Sequence, residues 1–354
     1  MEINELLRIA KEKDGSDLHI NVGVPPVIRI NGKLTKLEFP ELTPEDTHKM
    51  IYSILNEKQK SEFEKNGELD LSYEIENVSR FRVNVFKHRL GEGGAFRLIP
   101  EKIKTLSELG LPSILANFCD KDKGFVLITG PTGSGKSTTL AALIDIINNN
   151  RYDNIITIED PIEFIHRHKN CLISQREIGT HTKSFADALR NALREDPDVI
   201  LVGEMRDLET ISMALTAAET GHLVFSTLHT ISASETVERI IDVFPPHQQN
   251  QVRMQLAGSL LGIVAQTLLP TLDEKGRVPA LEVMIANSAI KNLIRENKTY
   301  QIQSMIQISK KDGMQSLDQS LKDLLMEGKI SREDAIRKAI DKKAFEKNEY
   351  NYNY

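Results

Sequence analysis

One short segment constrains this chain more than any other: Gly130-Pro131-Thr132-Gly133-Ser134-Gly135-Lys136-Ser137 fits G-x-x-x-x-G-K-[ST] at every fixed position. Its context agrees with the motif. The apolar run Phe125 to Thr129 ahead of it reads as a buried strand, and Thr138 to Ile147 behind it reads as a helix. Glycines at 130, 133 and 135 let the backbone curl until successive N–H groups face inward at a helix N-terminus, a geometry suited to a β-phosphate. Lys136 is then placed for β and γ oxygens, Ser137 offers a hydroxyl to Mg²⁺, and Thr138 carries the cradle into the helix. The implied ligands are ATP and Mg²⁺.

Other apolar runs, Ile155 to Ile158, Val199 to Val202 and Leu223 to Thr227, are too short for core helices, and each is followed by polar chemistry. That pattern predicts an α/β core whose parallel strands carry their site at the carboxyl ends. Three groups fall at that edge. Gly203-Glu204 follows one strand and places a carboxylate where it meets the Mg²⁺ shell. Glu159-Asp160-Pro161-Ile162-Glu163 follows another, and Pro161 prevents continued central pairing, so that one of these carboxylates is positioned to polarise the attacking water. His229, in Ser226-Thr227-Leu228-His229-Thr230, is an imidazole suited to sensing or orienting the γ-phosphate. Residue order alone does not decide which carboxylate holds metal and which acts as base. His166 and His168 flank Arg167 without a third metal ligand nearby.

Residues 1–100 read as a smaller α+β domain. Val27 to Ile30 runs through Asn31-Gly32 into Lys33 to Leu37, a hairpin signal, and Thr43-Pro44-Glu45 opens a helix. Phe81, Val83 and Val85 alternate with Arg80, Arg82 and Asn84, and Ala95 to Ile99 alternates again, which predicts a hairpin with arginines on one face. A linker follows at 101–112, the ATPase core at 113–287 and a helical region at 288–354, with amphipathic stretches at Ser288 to Glu296 and Leu317 to Glu327 and a frayed Asn/Tyr tail from Lys347.

Charge and cysteine usage narrow the class. Lys plus Arg number 45 against 51 Asp plus Glu, and Trp is absent, so neither an overall basic field nor a set of stacking aromatics points to nucleic acid. Cys119 and Cys171 form no zinc or disulfide framework. No apolar run spans a bilayer, so a cytoplasmic chain that meets a membrane only through a partner is expected.

The motifs at Gly130 to Ser137, Ile158 to Glu163, Asp198 to Glu204 and Gly221 to His229 resemble, in this order, the Walker A, Asp, Walker B and His boxes of the secretion ATPase superfamily. The openings Gly15-Ser-Asp-Leu-His19, Val24-Pro-Pro26 and Arg29-Ile-Asn-Gly32, and Ala289-Ile-Lys-Asn-Leu-Ile-Arg-Glu296 near the C-terminus, are similar to its pilus-retraction branch, with Lys291 where that branch has arginine. The resemblance also implies that the chain opens at the second N-terminal domain of the longer relatives. The resemblance implies a RecA-like P-loop core with a PAS-like N-terminal domain. It also implies a homohexameric motor that hydrolyses ATP and acts on the inner-membrane pilus platform protein to retract pili. Arg82 and Arg97 are the arginines it assigns to the phosphates, with Arg190, Arg194, Arg206 and Arg239 as further candidates. Alternatives are an extension or type II secretion ATPase, a nucleic-acid translocase, and a non-hydrolysing regulatory subunit.

Overall fold

A computed structural model describes residues 2–346 except 31, 77, 101, 274 and 275. The chain divides into two compact units, Met1–Lys102 and Ile103–Tyr354. The turn residue Asn31 and the tail from Lys347 lie outside the described residues.

The first unit is a six-stranded antiparallel sheet built from β1 (Asp17–Ile20), β2 (Val27–Ile30), β3 (Lys33–Lys36), β4 (Glu68–Ile75), β5 (Ser79–His88) and β6 (Gly91–Leu98), in the order β3-β2-β1-β6-β5-β4. The β2–β3 pairing has the expected hairpin register, Ile30 opposite Lys33. Strand alternation divides the faces. Leu18, Ile20, Ile28, Phe81, Val83, Val85 and Phe96 are buried in one cluster with Leu6 and Leu7 of the helix Ile3–Glu12 and Met50 and Ile51 of the helix Pro44–Ser53. The second of these helices starts where Thr43 and Asp46 form a reciprocal capping box. The opposite face carries a polar row. Asp17 lies opposite both Arg29 and Arg97, and Arg97 lies opposite Arg82.

The second unit contains the predicted parallel core. Strands β7 (Gly124–Thr129), β8 (Asn154–Glu159), β9 (Leu172–Glu177), β10 (Val199–Val202), β11 (Leu223–Leu228), β12 (Leu260–Pro270) and β13 (Arg277–Ile285) form one sheet in the order β13-β12-β7-β11-β10-β8-β9. All neighbours are parallel except β12 and β13. Successive side chains of a strand enter two separate cores: Phe125 and Leu127 join one, Val126 and Ile128 the other. Burial on both faces explains why these strands read as continuous apolar runs instead of alternating ones. The helix Lys136–Asn150 packs on one face through Leu140, Leu143, Ile144 and Ile147. The helices Leu208–Glu219, Ala233–Asp242 and Ser288–Arg295 pack on the other. In the helix Ser288–Arg295 the amphipathic spacing predicts Ala289, Ile290, Leu293 and Ile294 on the buried side; the last three are buried, whereas Ala289 is exposed. Further on, the helices Leu317–Met326 and Arg332–Lys338 cover the far end of the β12–β13 hairpin, where Leu269, Ala280, Leu321, Ile330 and Phe345 form a small core of their own.

Candidate active site

Because β7, β11, β10 and β8 are adjacent and parallel, the chain segments that leave their carboxyl ends meet along one edge. The loop after β7 is the Gly130–Ser137 segment. Gly133 and Gly135 hold φ values of +78° and +89°, in the left-handed region that favours glycine. At Gly130 the restriction is also steric, since a Cβ there would lie 2.2 Å from the carbonyl oxygen of Gln266 on β12. The helix Lys136–Asn150 starts at Gly135 with no side-chain cap, so its first-turn N–H groups have no internal acceptor.

Lys136 donates from Nζ to the carbonyls of Gly130 (2.7 Å) and Pro131 (3.1 Å). Burial lowers its ammonium below the ordinary lysine range, while the charges of Glu204 and Glu163 oppose that shift. The loop lysine therefore shares one electrostatic neighbourhood with the carboxylates that follow β10 and β8. Pro131, Thr132 and Gly133 are exposed, Ser137 and Thr138 are half-buried, and Ser134 is buried. The hydroxyls of Thr129, at the end of β7, and of Ser134 are buried without a hydrogen-bond partner.

Glu204 is the most connected charge at this edge. Its Oε1 lies 2.9 Å from His229 Nε2 and its Oε2 2.7 Å from the guanidinium of Arg206. Burial raises its carboxyl, but Arg206, His229 and Lys136 together hold it below the usual carboxylate range. Its backbone is fixed from both sides: Gly203 N–H donates to Ile158 O (2.7 Å) and Thr227 Oγ1 to Gly203 O (2.6 Å). The 160–163 turn is anchored by acidic acceptors, with Ile162 N–H on Glu177 (3.1 Å) and Glu163 N–H on Glu159 (3.4 Å). This leaves the Glu163 side chain exposed. Burial pushes the Glu159 carboxyl up, against donations from Thr157 and Gln175.

The edge therefore brings Lys136, Ser137, Glu163, Glu204 and His229 together, and Arg206 joins them through Glu204. Asp198 and His222 belong to the opposite end of the sheet. Asp198 precedes β10 and accepts from Asn154 N–H (2.8 Å), and His222 precedes β11 with Nδ1 2.9 Å from Ala217 O. Arg190 pairs with Asp187 and Glu209. Arg82 and Arg97 stand side by side on the polar face of the first unit, where Arg97 Nε donates to Asp17 (2.9 Å). Sequence reading passes over Gln266. Its only signal is an amide inside a mostly apolar strand.

The donor set suits a hard cation. Ser137 and Glu204 supply oxygen only, and among the described residues no cluster of three or more His, Cys, Asp or Glu forms a dedicated cage. Mg²⁺ at triphosphates is held in this way, by few protein oxygens with phosphate and water completing the shell. At His166, burial lowers the imidazole to about 4, so it stays neutral in the fold. Unfolded, it titrates at its ordinary 6.5, so its contribution to stability is complete above that pH and is lost as pH falls from 6.5 towards 4, on the order of 3 kcal/mol. Urea midpoints measured from pH 7 to pH 4 should fall less steeply in His166→Gln than in the wild type.

The family described as Type II/IV secretion system protein matches residues 2–304. The chain belongs to this family. It is 52% identical over 339 residues to the type IV pilus retraction ATPase PilT of Pseudomonas aeruginosa, covering 96% of this chain and 98% of that protein. It is also 52% identical over 314 residues to a twitching motility protein of Neisseria gonorrhoeae, covering 89% of this chain and 84% of that one. The crystal structure of the pilus retraction motor PilT with bound ADP superposes with a TM-score of 0.91 at 50% identity, covering 97% of this chain and 98% of the other. Family members of this kind are secretion and pilus ATPases, and the mixed α/β fold with its parallel core is theirs. Among the described residues no helix is long and apolar enough to cross a membrane.

Proposed function

We propose that this chain hydrolyses ATP to ADP and phosphate and that, as a homohexamer, it powers retraction of type IV pili through a platform protein at the inner membrane. The observation that carries the reading is the convergence of Lys136, Glu163 and Glu204 at the carboxyl edge of the parallel sheet, beside an uncapped glycine loop. Near-full-length similarity to a retraction ATPase supports the direction of the motor.

In this reading the N–H groups of Gly133 to Thr138 and the Lys136 ammonium bind the β- and γ-phosphates. Ser137 and Glu204 hold Mg²⁺, which when bound neutralises charge on the phosphate oxygens. Glu163 accepts the proton of the attacking water, and its exposure leaves its carboxylate open to solvent from which that water comes. His229, tied to Glu204, reports the state of the γ-phosphate to β11. Arg82 and Arg97 are assigned to the phosphoryl group as it transfers, on the strength of the resemblance and of their adjacent placement on a polar face. The base-side pocket is read as a cavity of about 260 Å³ beside the loop, lined by Leu109, Gly135, Thr138, Leu268, Arg277 and Pro279.

The test is ATP turnover by the purified chain with Mg²⁺ and with a chelator, read beside its mass in solution. Mg²⁺-dependent turnover by a hexameric particle is expected. A monomer that binds ATP without turning it over would favour a regulatory subunit.

A further inference from the structure

Gln266 lies in the middle of β12, buried, on the face that meets the helix Lys136–Asn150. A carboxamide between apolar neighbours is costly unless both of its ends are satisfied. Here both are, one by the phosphate loop and the other by the first turn of the helix that follows it. Nε2 donates to the carbonyl of Ser134 (2.6 Å), and Oε1 accepts from the hydroxyl of Thr139 (2.8 Å). Those partners bracket Lys136 and Ser137 in sequence. The backbone of the same residue sets the start of the loop, because its carbonyl oxygen occupies the space a Cβ on Gly130 would need, and its side-chain Nε2 lies 2.8 Å from where a Cβ on Gly135 would stand. One residue of β12 thus touches the loop at its first glycine, at its centre and at the first helical turn.

We propose that Gln266 is a positioning residue for nucleotide binding: its carboxamide clamps Ser134 to Thr139 and thereby sets the curvature that presents the loop N–H groups and Lys136 to phosphate. The proposal rests on the reading of Gly130–Ser137 as a nucleotide cradle. Glutamine is specific to the task, because a single side chain must donate at one end and accept at the other. A leucine of similar length does neither. A glutamate donates only when protonated, and when ionised it turns an oxygen towards the Ser134 carbonyl and adds negative charge beside the phosphates.

The experiment measures ADP dissociation constants by calorimetry at about pH 8.5 and about pH 5.5 for the full chain, Gln266→Leu and Gln266→Glu, each checked for a cooperative melt. Lys104, Glu108 and Arg277 are the charged side chains lining the cavity against Gln266. Their contribution and that of the nucleotide are carried by the wild type, so the ratio to wild type at each pH isolates position 266. Loss of both buried hydrogen bonds predicts about tenfold or more weaker binding for Gln266→Leu, the same at both pH values. Gln266→Glu should bind about a hundredfold more weakly than wild type at the higher pH and recover to within about tenfold at the lower one, as protonation restores a donor. A residue that only fills space would lower the melting temperature without this pH-dependent ratio. Wild-type affinity in both variants, or a glutamate deficit that ignores pH, overturns the proposal. Failure of the wild-type chain itself to bind ADP overturns the cradle reading and this proposal with it.

Discussion

Glu163→Gln is expected to lower the turnover number for ATP by about 10²- to 10⁴-fold, the range typical of removing a general base, while ATP affinity changes by less than about threefold. The separation of the two effects follows from how the residue is held. The turn that carries it is fixed through its backbone, with Glu163 N–H on Glu159 and Ile162 N–H on Glu177, and the side chain itself takes no part in that anchoring. An amide of the same shape therefore leaves the turn in place and removes only the ability to accept a proton. No hydrogen bond to the Gly130–Ser137 loop is lost, so binding survives. Pre-steady-state quench with labelled ATP reads both quantities in one experiment. A variant that still turns over at the wild-type rate would take the base role away from Glu163, and Glu159, half-buried beside it with a raised carboxyl, would be the next group to test.

How much of this was legible in the sequence depends on whether the signal was local. The phosphate loop is a chain-local device, with glycines, lysine and hydroxyl in one run, and the structure places that run at the expected strand–helix junction. The parallel strands were legible because burial on both faces leaves short unbroken apolar runs between polar segments. Strands β9, β12 and β13 were not. Leu172–Glu177 mixes an exposed leucine with polar residues at the sheet edge, and β12, which forms a long hairpin with β13, takes its place in the sheet by pairing with β7, far from it in sequence. Gln266 escaped for the same reason, since its meaning lies in Ser134 and Thr139, which are far from it in sequence. The cross-link of Glu204 to both Arg206 and His229 also needed coordinates. Arg206 was one of several arginines with no ranking, and only the adjacency of β10 and β11 brings the histidine to the carboxylate.

Glu204→Gln should fail in a different way from Glu163→Gln, and the difference is the sharper test of the site. Glu204 sits beside two cations and an imidazole. Arg206 lies at 2.7 Å, His229 Nε2 at 2.9 Å, and the Lys136 ammonium is close enough to depress its carboxyl. Burial alone would raise that carboxyl; the cations outweigh it, so Glu204 is ionised throughout the neutral range and the neighbourhood is built around a fixed negative charge. A neutral amide keeps one acceptor but turns an NH₂ group towards donors, so one of Arg206 and His229 loses its partner and Lys136 loses a counter-charge. Removing the charge also takes a hard oxygen ligand from the set that suits Mg²⁺. Turnover should drop by about 10²-fold or more, as for other preorganised electrostatic groups, and the Mg²⁺ concentration for half-maximal turnover should rise by about tenfold or more. In Glu163→Gln that concentration should stay at the wild-type value. Glu204→Asp, which keeps the charge on a shorter stem, should recover part of the Mg²⁺ response. If Glu204→Gln instead loses turnover with an unchanged Mg²⁺ requirement, the carboxylate acts on Arg206 and His229 rather than on the metal, and the Mg²⁺ shell must be sought elsewhere along the same sheet edge.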